Sequence, residues 1–119
     1  GRAARAALIH HDVWNAVQGK LAIGENVAQA AQFVQTGNAQ LGIVSLATVL
    51  SPRLKGVGRY YVVPEAGIAP IEQGVVVTRH GKGNPLAARF VQFLQTKAAR
   101  DILQRSGFGL PRAPAGGGA

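Results

Sequence analysis

The sequence has no cysteine, no methionine, only five acidic residues among 119, and three serines. Without cysteine, neither a disulfide framework nor a thiolate metal site can form. The acids, Asp12, Glu25, Glu65, Glu72 and Asp101, show no paired spacing that suggests a general acid and base. Ser45, Ser51 and Ser106 lack the glycine-flanked nucleophile elbow. His10 and His11 are adjacent, so on a helix they diverge, and His80 stands alone. The run HGKGN at 80–84 lacks the spacing of a phosphate-binding loop. No apolar run approaches the ~18–20 residues of a helical membrane span. These absences leave a non-enzyme with no resident metal or cofactor as the expectation.

What is present is apolar content and positive charge. At 47% apolar residues the chain is rich enough to bury a core rather than stay disordered. Thirteen Lys and Arg against the five acids give a formal net charge of +8, which raises nucleic acid as a partner. The cations are scattered from Arg2 to Arg112 with no block of five or six, as on a solvated surface.

Residues 2–9, rich in Ala and Arg, predict a helix that His10-His11 interrupts. Asp12 is placed to cap a short helix carrying Val13, Trp14 and Val17, ended by Gly19. Val27, Ala30, Ala31 and Val34 fall at i, i+3, i+4 and i+7, which predicts a helix over about 27–36 with a left-handed stop at Gly37-Asn38. Strands are expected at about 20–24, 41–46, 59–63 and 73–78, with 41–46 buried on both faces. Asn84 before Pro85 opens a helix with the stripe Leu86, Phe90, Phe93 and Leu94. A last helix starts at Thr96, packs Ile102 and Leu103 inward, and ends at Ser106-Gly107. The tail 111–119 has little to bury and is expected to be flexible. Alternating helices and short apolar runs predict an α/β fold with a mixed, mainly parallel sheet.

In such folds ligands sit beyond strand ends, beside helix starts. The stretch GENVAQAAQ at 24–32 offers one. Asn26 can cap, Gln29 stands three residues later as in a capping box, and the amides of Val27 and Ala28 are left to face an oxyanion. An ordinary capped helix with no ligand is the competing reading of the same residues.

The segment GENVAQAAQFVQTGNAQLGIVSLA resembles periplasmic molybdate-binding proteins, the substrate-binding components of molybdate ABC transporters. In that family a strand, E-N/D-V, a helix, a G-N-A type stop and a G-I/F-V strand follow in this order. The resemblance extends through VWNAVQGKL, through VVPEAGIAPIEQGVVV with Ile68 where an aromatic is common, and through NPLAARFVQFLQTKAARDILQRSGFGLP, covering about residues 1–111. It implies a class II periplasmic-binding-protein-like fold. Here that would be one partial lobe at 1–79, carboxy-terminal helices at 80–110 near the hinge, and the tail at 111–119. It implies a molybdate or tungstate ligand held by neutral donors, with the Val27 amide carrying the contact, Asn26 and Ala28 beside it, and Ser45 where some relatives place a tyrosine hydroxyl. It further implies a periplasmic location and a membrane permease as partner, with no nucleic acid. The opening GRAARAALI resembles the helix after the family's ligand loop, so the chain reads as the carboxy-terminal half of such a receptor.

Two other functions compete. A basic nucleic-acid-binding domain would use Arg59-Tyr60-Tyr61 as a stacking platform, although RYY also suits a sheet strand with one core-facing tyrosine. An oxyanion-using enzyme is disfavoured by the absent acid–base pair. Apolar surface left uncovered by half a receptor is expected to drive self-association into a dimer.

Overall fold

The computed structural model describes residues 1–111, and their regular structure is entirely helical. Two compact units divide the chain, Gly1–Glu72 and the residues from Gln73 onward.

In the first unit, the Ala-rich start forms α1, Arg2–His10, with Ala7 buried. Asp12 does not cap the next helix. It adopts φ 58°, and its amide donates to the Ile9 carbonyl at 3.0 Å. A short polar residue tolerates that left-handed turn, so the N-cap of α2, Trp14–Val17, passes to Val13, which supplies no side-chain bond. Gly19 does not stop the chain either, because a 3-10 turn over Gln18–Lys20 carries the winding on. The Arg5 guanidinium lies 4.9 Å from the centre of the Trp14 ring, tying α1 to α2. Such a pair is worth ~0.5–1 kcal/mol at an exposed site.

Helix α3, Val27–Gln35, buries Ala31 and is followed by Gly37 at φ 78°. Two glycines let the flanking chain lie close on it. A Cβ on Gly24 would stand 2.8 Å from the Ala30 nitrogen and 3.0 Å from the Asn26 oxygen. A Cβ on Gly42 would meet the Val34 side chain at 2.7 Å. The chain then enters α4, Leu46–Val49, through its N-cap Ser45.

The expected α/β architecture is corrected, since the described residues contain no strand and no sheet. The class II binding-protein lobe expected over 1–79 therefore has no sheet in this chain. The segments 20–24, 41–46, 59–63 and 73–78 have strand-like composition but no ladder. Lys20 ends a 3-10 turn and Leu46 begins α4. Leu41, expected on a strand buried on both faces, is 90% exposed, and Val76 is 81% exposed. The physical reason lies in where hydrogen bonds close. A helix pairs its backbone groups within one segment, whereas a strand must find a second segment in register. None of the four does. Tyr60 and Tyr61 are both exposed, so neither is the core-facing tyrosine expected of RYY.

The second unit holds a 3-10 turn over His80–Gly83, α5 over Pro85–Leu94 and α6 over Lys97–Arg105. The Asn84 side chain accepts from the Leu86 amide at 3.0 Å, with Pro85 at the first helical position. The Thr96 hydroxyl accepts from the Ala99 amide at 3.3 Å. Ala99 is buried, Leu94 and Leu103 are half-buried, and Phe90, Phe93 and Ile102 remain exposed. Only alanines (Ala7, Ala31 and Ala99) are buried among the described apolar residues. Short side chains are what close helix-on-chain approaches admit; the bulky residues have no facing layer. Apart from Pro111, the expected flexible tail lies outside the described residues. No described helix is long and apolar enough to cross a membrane.

Candidate functional site

The start of α3 is built by three residues. Asn26 is extended at φ −151° and ψ 172°, and its Oδ1 accepts from the Gln29 amide at 2.9 Å. Its carbonyl accepts from the Ala30 amide at 3.1 Å. Gln29 reaches back, and its Oε1 accepts from the Glu25 amide at 2.6 Å. This is a variant of the capping box in which the returning side chain serves the residue before the cap.

These bonds determine what remains. The first four amides of a helix have no intrahelical acceptor. Of these, the Asn26 side chain serves only the Gln29 amide, and the Ala30 amide makes the first intrahelical bond, to the Asn26 carbonyl. The amides of Val27 and Ala28 find no acceptor among the described residues. They lie where the helix dipole places about half a positive charge. Val27 is 46% exposed and Ala28 is exposed, so both amides belong to an accessible turn. Gly24 packs on this turn and fixes the approach of the preceding chain.

Beside the turn runs a groove of about 720 Å³. Asn26, Ala28 and Gln29 line it from α3, and Thr48, Ser51 and Arg53 line it from α4 and the turn that follows. Val27 and Ser45 are not among its lining residues. The Ser45 hydroxyl is engaged within α4: it accepts from the Thr48 amide at 3.2 Å and lies 2.7 Å from the Thr48 hydroxyl. The geometry thus gathers Asn26 and Ala28 at the groove, sets Val27 beside them in the chain, and leaves Ser45 as a helix cap.

Sequence reasoning passed over Gly24, Gly42 and Arg53. An isolated glycine in a strand-like run was the available signal for the first two, since it marks close backbone approach. Among the described residues no group of three or more His, Cys, Asp or Glu could hold a metal ion. The arrangement offers hydrogen-bond donors from the start of α3 and one cation, Arg53, along the groove.

The chain is 37% identical over 110 residues to the molybdate-binding protein ModA of Azotobacter vinelandii, covering 92% of this chain and 44% of that protein. It is 31% identical over 108 residues to the molybdate-binding protein ModA of Rhodobacter capsulatus, covering 91% and 42%. A putative ABC transporter substrate-binding lipoprotein, YvgL, of Bacillus subtilis is 25% identical over 111 residues, covering 91% and 41%. The chain therefore spans less than half the length of these relatives. No solved structure matches it. The family model for the bacterial extracellular solute-binding protein matches residues 1–109, and the chain belongs to that family.

Proposed function

We propose that the chain binds a tetrahedral oxyanion, molybdate or tungstate, at the start of α3, as part of a periplasmic receptor that delivers it to the permease of an ABC transporter. The observation that carries this reading is the pair of unpaired amides at Val27 and Ala28, in a family whose similar members are named as molybdate-binding. Donors alone reward a fully deprotonated dianion, because a protonated oxyanion would set its own O–H against another donor. The role is capture and release, not catalysis. The residues 1–79 act as part of the ligand lobe and 80–110 as helices near a hinge.

A titration of this chain with molybdate, followed by backbone amide shifts, tests the site. The amides of Val27 and Ala28 should move most, with binding in the millimolar range, because one helix start supplies few donors. Val27→Pro removes one donor at a position that accepts proline, and the extended Asn26 before it suits that ring. The variant should bind roughly tenfold or more weakly, the worth of one charge-assisted hydrogen bond. Unchanged affinity would refute the assignment.

The exposed apolar residues support one further part of the reading: the chain self-associates as a dimer. Ile23, Leu41, Tyr61, Ile71 and Val76 are each more than 70% exposed. A monomer by light scattering across a dilution series would remove this part. A second reading has one observation in its favour, because Tyr60 and Tyr61 are both exposed beside Arg59. Nucleic-acid binding through them would fall steeply with salt. Under the first reading, oligonucleotides do not bind.

A further inference from the structure

We draw no further inference here: the strongest candidate, the exposed stripe of Leu86, Phe90 and Phe93 along α5 with Arg89 beside it, is an unpartnered helix face, and nothing in the structure shows what covers it.

Discussion

Replacing Gly24 by alanine should destabilise the first unit, although alanine is the better residue for most backbone conformations. The added Cβ would stand 2.8 Å from the Ala30 nitrogen, 3.0 Å from the Asn26 oxygen and 3.3 Å from the Ala30 Cα. All three are backbone atoms of the capped first turn, so no side chain can swing aside. Overpacking of this kind costs ~1–3 kcal/mol. Gly24 is not at positive φ, so alanine also gains ~0.4–1 kcal/mol by restricting the unfolded chain. Taking the middle of each range, the net expectation is a loss of about 1.3 kcal/mol. Gly19 supplies the control. It has nothing within 4 Å of its ideal Cβ and lies in a 3-10 turn, so Gly19→Ala should gain about 0.4–1 kcal/mol. Urea unfolding followed by far-ultraviolet circular dichroism measures both. Opposite signs are expected. A Gly24→Ala protein as stable as its parent would show that the chain before α3 does not press on the helix start.

Further outcomes follow from single contacts. Asn26→Ala should cost ~1 kcal/mol, the worth of an N-cap, read from the same unfolding curves. Thr96→Ala should cost a similar ~1 kcal/mol through the amide of Ala99. Gly67→Ala should cost ~1–2 kcal/mol, because Gly67 sits at φ 78°, where alanine is strained, while the exposed His10 ring that its Cβ would meet can turn aside. Lys97→Ala should change stability by less than ~0.5 kcal/mol despite its 2.6 Å contact with Asp101, because Lys97 is 87% exposed.

Helices α1, α3, α5 and α6 were legible in the sequence because their causes are local, whereas α4 was missed, its first residue Leu46 having been assigned to a strand. Asn26, Asn84 and Thr96 each cap the helix that the pattern assigned to them, and Pro85 sits at a first helical position. Asp12 misled because the same short polar side chain that caps a helix also tolerates a left-handed turn, and the turn won. The sheet misled for a different reason. Runs such as Tyr60–Val63 and Val75–Val77 state a preference for extended backbone, but pairing depends on a second segment, which no local pattern supplies. At the site, Asn26, Val27 and Ala28 could be named from a cap and a helix period. Arg53 could not, because the turn that carries it beside the groove is a tertiary fact.

The two unpaired amides at the start of α3 have a consequence for how such a surface changes over generations. Their donors belong to the main chain, so almost any residue can occupy positions 27 and 28 without altering the donor pattern. An alanine scan would pass over them, since Val27→Ala keeps its N–H and position 28 is already alanine. Sequence drift there is nearly free, and only proline, or a residue that unseats Asn26 or crowds Gly24, interrupts it. The heritable part of the feature is thus carried by the neighbours that shape the turn rather than by the residues that present the donors.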